Sequence, residues 1–118
     1  METISIHKPK VVVIGSCNTD MVVKANRLPV PGETILGGTF YMNPGGKGAN
    51  QAIAASRLGA EVTFISKIGY DLFGLQALEI YKSEKINTDF IFTDQKSPSG
   101  VALISVDSFG ENSIIVAP

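Results

Sequence analysis

The hydrophobic and polar positions of the chain change their period several times, and each change marks a predicted element. Residues 11–14 are a continuous β-branched run that ends at Gly15, which predicts a strand buried on both faces, as in the middle of a parallel sheet. An alanine-rich stretch from Gly46 to Leu58 predicts a helix, with Gly59 as its C-terminal cap. Residues 62–68 then return to strand composition.

The next stretch repeats this order. Asp71 is placed to cap a second helix that runs to about Lys85, and residues 90–92 follow as a short strand. The succession of strand, helix, strand, helix and strand predicts right-handed βαβ crossovers that build a parallel sheet. We therefore expect a Rossmann-like α/β fold with core strands at approximately 10–16, 61–68 and 90–93.

Two other stretches break this alternation. Residues 21–28 and 33–41 flank a Pro-Val-Pro-Gly turn and predict a two-stranded flap, whereas residues 100–106 and 113–116 predict a hairpin. Together these lid strands, at approximately 21–41 and 100–117, would form a small four-stranded antiparallel sheet beside the parallel one. The strand before Pro118 leaves an open edge, which we expect to continue, pair or dimerise.

The helix start at Gly46 is the first candidate binding site. It begins within the segment Asn43-Pro-Gly-Gly-Lys-Gly-Ala-Asn, whose glycines remove side-chain bulk where a backbone must approach a ligand. Lys47 and Asn50 add an ammonium and an amide to the unpaired N–H groups of the helix start, although lysine is usually solvated. The spacing matches neither a P-loop nor a dinucleotide fingerprint, because Tyr41 and Gln51 stand where glycines are needed.

Asn18 and Asp20 form the second candidate site, because they follow the first core strand. Ligands of open α/β sheets bind at the carboxyl ends of the strands. A carboxylate accepts from two neighbouring hydroxyls and an amide both donates and accepts, so this pair suits a vicinal diol. The alternative is an ordinary Asx-turn, which the pattern alone favours. The nearby glycine loop shifts the balance towards a sugar site.

Composition narrows the class of ligand. The net charge is -1 and there is no basic cluster, which argues against nucleic acid or an anionic membrane as partner. No apolar run reaches the roughly 20 residues of a membrane span, and the N-terminus lacks the apolar region of a signal peptide, so we expect a cytoplasmic protein. We expect Cys17 to be a small buried hydrophobe and His7 to be solvated. A small neutral ligand fits best.

Five motifs occur in an order that resembles the ribokinase-like (PfkB) family of carbohydrate and nucleoside kinases. They are Gly15-Ser-Cys-Asn-Thr-Asp20, Pro31-Gly-Glu-Thr34, Gly45-Gly-Lys-Gly-Ala-Asn-Gln-Ala52, Arg57-Leu-Gly59 and Gly69-x-Asp71-x-Phe73-Gly74. The third is the most specific, because related fructokinases and adenosine kinases differ after the two glycines. The resemblance spans nearly the whole chain and is strongest to the ribokinase branch.

The resemblance implies an activity and a set of site residues. Such kinases phosphorylate the 5-hydroxyl of D-ribose with ATP, Mg²⁺ and a monovalent cation (K⁺), and their β-sheet lid closes over the sugar and often forms a homodimer interface. The substrate-binding positions that it implies are Asn18, Thr19, Asp20, Gly46, Lys47, Gly48, Ala49 and Asn50. Apolar residues near 100–104 are implied to help close the pocket.

The chain also departs from the family. Members run to about 300 residues, and no Gly-Ala-Gly-Asp motif, whose aspartate would act as general base, occurs in these 118 residues. Segments that match the family's ATP and cation sites are also missing. We therefore expect an enzymatic parent and a segment that is inactive alone. A non-catalytic sugar-binding or dimerising module, or another sugar or nucleoside kinase of the family, remains the alternative.

Overall fold

The computed structural model describes residues 7–118, so the first six residues of the predicted domain 1–118 lie outside the described part. In chain order, the elements are β1 (Lys10–Ile14), β2 (Asn18–Lys24), β3 (Thr39–Gly45), α1 (Lys47–Arg57), β4 (Glu61–Gly69), α2 (Leu72–Ser83), β5 (Ile91–Asp94), β6 (Gly100–Val106) and β7 (Asn112–Ala117). The strands form two sheets, one three-stranded and parallel, the other four-stranded. The predicted α/β fold with a separate small sheet is confirmed.

The parallel sheet has the order β1-β4-β5, and its core lies on one face only. Ala49 and Ala52 of α1 are completely buried, because their small side chains let the helix approach the sheet closely. Phe64 and Tyr81 fill the centre, with ring centroids 5.4 Å apart in an edge-to-face arrangement. This compact centre fixes the strand ends from which the second sheet leaves.

The opposite face of the parallel sheet is uncovered, so the prediction of a first strand buried on both faces is wrong. Val12 is 61% exposed and Ile14 77% exposed, and β1 is an edge strand. Right-handed crossovers place both helices on the same side. A β-branched run indicates a strand but does not tell whether one face or two are covered.

Both helices lie close to their predicted bounds. The Asp71 side chain caps α2 by accepting from the Gly74 N–H at 2.8 Å. Helix α1 is followed by Gly59, whose φ of 97° lies in the left-handed region. Helix α2 ends at Ser83, slightly before the predicted Lys85, which itself adopts a φ of 62°.

The second sheet, here called the lid, has the order β3-β2-β6-β7. It is mixed instead of wholly antiparallel, because β2 and β6 pair in parallel. Both strands leave the carboxyl edge of the parallel sheet and therefore run in the same direction. The strand bounds also differ from those predicted: β2 begins at Asn18, and β3 begins only at Thr39. Gly37 and Gly38 have φ values of 108° and 103°, which interrupts the expected strand over residues 33–41.

Candidate functional site

Asn18 and Asp20 are strand residues, so they do not form the Asx-turn that was the alternative. They are the first and third residues of β2, so their side chains lie on the same face of the lid. Asn18 lines a shallow cleft at the carboxyl ends of β1 and β4, together with Gly15 and Lys67. This position is the one expected for a ligand of an open α/β sheet.

Two glycines on the neighbouring strands make room for these polar side chains. Gly45 and Gly100 both lie directly opposite Asn18 in the strand register. A Cβ atom at Gly45 would overlap the Asp20 carboxylate, and one at Gly100 would overlap Oδ1 of Asn18. The two side chains therefore occupy space that any other residue on the flanking strands would fill. Sequence reasoning missed this role, because it depends on the pairing of distant strands.

The Asp20 carboxylate is partly buried and has no partner. Within residues 7–118 it accepts no hydrogen bond from another group, and burial raises the pKa of Asp20 above its usual value. Desolvating a carboxylate without supplying donors is unfavourable. Hydroxyl donors from a ligand would remove that cost.

The glycine loop contacts the protein's own backbone. Gly46 is the N-cap of α1 with a φ of 93°, and a Cβ there would lie 2.7 Å from the Ser16 carbonyl oxygen. A Cβ at Gly48 would lie 2.7 Å from the carbonyl carbon of Gly15. The Ala49 N–H donates to the Ser16 oxygen at 3.1 Å. These contacts hold the helix start against residues 15–17, next to Asn18.

The remaining predicted positions fall into separate environments. Gly48 and Ala49 are buried beneath the loop, so they support it from the core instead of presenting a surface to a ligand. Lys47 and Asn50 are exposed at the helix start, and Asn50 lines a cleft with Asn43. Thr19 lies on the face opposite Asn18 and Asp20, because successive strand residues alternate.

Thr19 lines a groove against α2 that also includes Ala77, so the structure separates it from the other predicted contacts. Asn43, by contrast, was missed as a candidate. It lies directly opposite Asp20 in the register and shares a cleft with Asn50. The only signal in the sequence was its place just before Pro44 and the glycines.

A sequence profile for the pfkB family of carbohydrate kinases matches residues 8–118. The chain belongs to this family. It is 47% identical over 104 residues to the ribokinase of Bacillus subtilis, with 88% of this chain and 35% of the relative covered. It is 44% identical over 106 residues to the ribokinase of Mus musculus, with 90% and 33% covered.

Solved structures agree with this placement. The structure of Arabidopsis thaliana ribokinase complexed with ribose and ATP matches with a TM-score of 0.80 at 35% identity, covering 95% of this chain and 36% of that one. The chain spans about a third of the length of the curated relatives that it matches.

The family resemblance implies Mg²⁺ and K⁺ sites in the complete protein. Within residues 7–118, no group of His, Cys, Asp and Glu side chains lies close enough together to hold a metal ion. No helix in the described part of the chain is long and apolar enough to cross a membrane.

Proposed function

We propose that the chain is the sugar-binding and lid-bearing part of a ribokinase, whose complete protein phosphorylates the 5-hydroxyl of D-ribose with ATP. The observation that carries this proposal is the pair of Asn18 and Asp20 on one lid face, with an unpartnered, partly buried carboxylate. The identities of 44% and 47% to two ribokinases support the choice of activity, and the ribose complex of the Arabidopsis relative supports the choice of sugar.

In this proposal, Asp20 accepts hydrogen bonds from two neighbouring ribose hydroxyls, and Asn18 both donates and accepts. Lys47, Asn50 and the backbone of Gly46 contribute further donors at the start of α1. Gly48 and Ala49 keep that helix start against Ser16 through the bond from the Ala49 N–H. Thr19 would contribute by packing towards α2 and not by touching the sugar.

The catalytic base and the ATP, Mg²⁺ and K⁺ sites of the parent are proposed to lie outside these 118 residues. The uncovered face of the parallel sheet supports this, because parallel sheets are normally covered on both faces. Val12 and Ile14 of β1 and the 57%-exposed Phe92 of β5 are exposed on that face, and β1 has a free edge within residues 7–118. Further sheet and helix segments of the parent would pack there.

A second copy of the chain is proposed to pack on the lid face opposite Asp20. Five apolar side chains on that face are at least 39% exposed: Val23, Phe40, Met42, Leu103 and Ile115. Leu103→Glu should therefore shift a dimer to a monomer in sedimentation equilibrium. Val116→Glu is the matched control, because Val116 is 52% exposed against 53% for Leu103 but lies on the other face. Equal behaviour of the two variants would contradict this interface.

The central test uses the complete parent enzyme and an Asp20→Asn variant. Loss of hydrogen bonds to a charged acceptor should raise the KM for D-ribose roughly 10- to 100-fold and leave the KM for ATP unchanged. Asp107→Asn is the control, because Asp107 accepts only from N–H groups of its own turn, between β6 and β7. An unchanged ribose KM in Asp20→Asn, or a parent that prefers another sugar, would contradict the proposal.

Titration of the 118-residue chain with D-ribose tests the alternative of a non-catalytic module. We expect a weak or undetectable heat of binding, because half of the pocket would come from the rest of the parent. Specific binding by the chain alone would favour the sugar-binding module instead. ATP consumption by the chain alone would show that it carries catalytic groups and would contradict the proposed division.

A further inference from the structure

Ser99, the residue before lid strand β6, makes three hydrogen bonds to the end of β4 and the cap of α2. Its N–H donates to Oδ2 of Asp71 at 2.8 Å, and its hydroxyl donates to Oδ1 of Asp71 at 2.8 Å. The same hydroxyl oxygen accepts from the Gly69 N–H at 2.9 Å. Three elements are therefore tied together at one point: the end of β4, the start of α2 and the start of β6.

The backbone around Ser99 is closely packed against two glycines. A Cβ at Gly69 would lie 2.6 Å from the carbonyl carbon of Pro98, and one at Gly74 would lie 3.0 Å from the Ser99 hydroxyl. Glycine at both places lets the three backbones approach this closely. The position of Ser99 is therefore set by contacts on both sides as well as by its hydrogen bonds.

The cap of α2 requires only part of what Asp71 does. An N-cap side chain needs one oxygen to accept from the helix start, and Oδ1 does this for the Gly74 N–H. The second oxygen, Oδ2, accepts from Ser99, which is 28 residues away along the chain. These hydrogen bonds to the charged form lower the pKa of Asp71. Oδ2 therefore binds only the residue before the lid strand, and Oδ1 is shared between Ser99 and the helix start.

The effect of this contact reaches the sugar site in one step. Gly100 follows Ser99 directly, lies opposite Asn18 in the parallel register, and provides the space that Oδ1 of Asn18 occupies. A shift of Ser99 would move the Gly100 backbone into or away from the Asn18 amide. Since β2 and β6 are paired over seven residues, Asp20 would move together with β6.

We infer that Asp71, through Ser99, is a positioning residue that fixes the lid strand β6 and thereby the orientation of Asn18 and Asp20 in the substrate site. The inference rests on the proposed function for its substrate, but its mechanical part is independent of it. The residue does not touch the sugar in this scheme. It sets where the sugar-contacting side chains lie.

The first experiment measures amide hydrogen exchange in the 118-residue chain. Asp71→Ser is the main variant, because serine is a good N-cap but is too short to bridge to Ser99 twice. Exchange should become at least 10-fold faster at residues 18–20 and 100–102 and stay unchanged in α2. Unchanged exchange at residues 18–20 and 100–102 would overturn the inference. If Asp71→Ser does not fold, Ser99→Ala, which keeps the Ser99 N–H donor, is expected to give a smaller increase at the same residues.

Asp107→Asn is the matched control. Asp107 accepts from the N–H groups of Phe109 and Glu111, in the connection at the other end of β6, and makes no bond to Ser99. Its substitution should leave exchange at residues 18–20 at the wild-type rate. An equal increase in both variants would show that weakening either connection of β6 loosens the site, and would overturn a specific role for Asp71.

The second experiment uses the complete parent and separates this inference from the proposed function. Asp71→Ser should raise the KM for D-ribose about 10-fold, with the KM for ATP unchanged. A changed exchange pattern with no ribokinase activity in the wild-type parent would refute the proposed function and leave the positioning role standing. Wild-type activity with an unaltered ribose KM in Asp71→Ser would overturn the positioning role.

Discussion

Replacing Gly48 by alanine tests whether the helix start is held against the backbone of residues 15–16. Gly48 is a helix residue without a positive φ, so alanine is conformationally acceptable there. Helix propensity alone predicts a gain of about 1 kcal/mol. The packing predicts the opposite, because the new Cβ would lie 2.7 Å from the carbonyl carbon of Gly15 and 2.8 Å from the Ser16 nitrogen.

The size of the effect follows from these distances. Ordinary contact begins at 3.4 Å, so α1 must move away by roughly 0.7 Å to relieve the 2.7 Å overlap. That movement lengthens the 3.1 Å bond from the Ala49 N–H to the Ser16 oxygen beyond hydrogen-bonding range. Overpacking costs about 1–3 kcal/mol. We expect a cost near the upper end of this range, because the atoms that the new Cβ meets are backbone atoms, which cannot rotate away. After the propensity gain, we expect a net loss of about 2 kcal/mol.

The assay is urea unfolding at neutral pH, with thermal unfolding alongside. A loss of this size should lower Tm by roughly 8 °C for a chain of this length. Ala54→Gly, at an exposed position of the same helix, measures propensity alone and should cost about 1 kcal/mol. Gly15→Ala should reproduce the loss, because its Cβ would lie 2.9 Å from the Gly48 Cα. A stabilised Gly48→Ala variant would refute the packing argument.

Three further substitutions have defined outcomes. Tyr81→Phe should stabilise the chain by about 1 kcal/mol in urea unfolding, because the buried Tyr81 hydroxyl has no hydrogen-bond partner within residues 7–118; a loss of stability would reveal one. Asp94→Asn should make the free energy of unfolding less dependent on pH in the acid range. Hydrogen bonds from the Lys96 and Ser97 N–H groups lower the pKa of Asp94 to about 2. The stabilisation by ionised Asp94 is therefore complete above the ordinary carboxyl pKa of about 4 and disappears as the pH falls towards 2. Asp20→Asn should raise the Tm of the ligand-free chain at neutral pH, because it removes a desolvated charge; a lower Tm would mean that the carboxylate has a stabilising partner.

The sequence predicted the elements that depend on local chemistry. The order of strands and helices in the parallel sheet, the cap at Asp71 and the left-handed Gly59 after α1 all follow from periodicity and end signals, and all are present. These features need only residues within one or two turns of each other. They therefore remain readable without knowledge of the tertiary structure.

The features that were missed depend on distant pairing. The parallel ladder between β2 and β6 joins residues about 80 positions apart, and no local pattern states its direction. The same ladder gives Gly100 its role beside Asn18, and the register of β3 brings Asn43 opposite Asp20. The two segments of the candidate site were thus predicted separately. The role of the glycines that make room for the Asn18 and Asp20 side chains was not predicted.

The candidate site and the connections of the lid lie at the same edge of the parallel sheet. The lid leaves the parallel sheet at three places, namely residues 15–17, residues 45–46 and Ser99, all near the carboxyl ends of the parallel strands. Two of these crossings are fixed by specific bonds, from Ala49 to Ser16 and from Ser99 to Asp71. Asn18 and Lys47 each lie within one or two residues of a crossing. Under the proposed function, a ligand that contacts both would connect two crossings that the backbone bond from Ala49 to Ser16 also joins, so its binding would restrict the lid as well as satisfy Asp20.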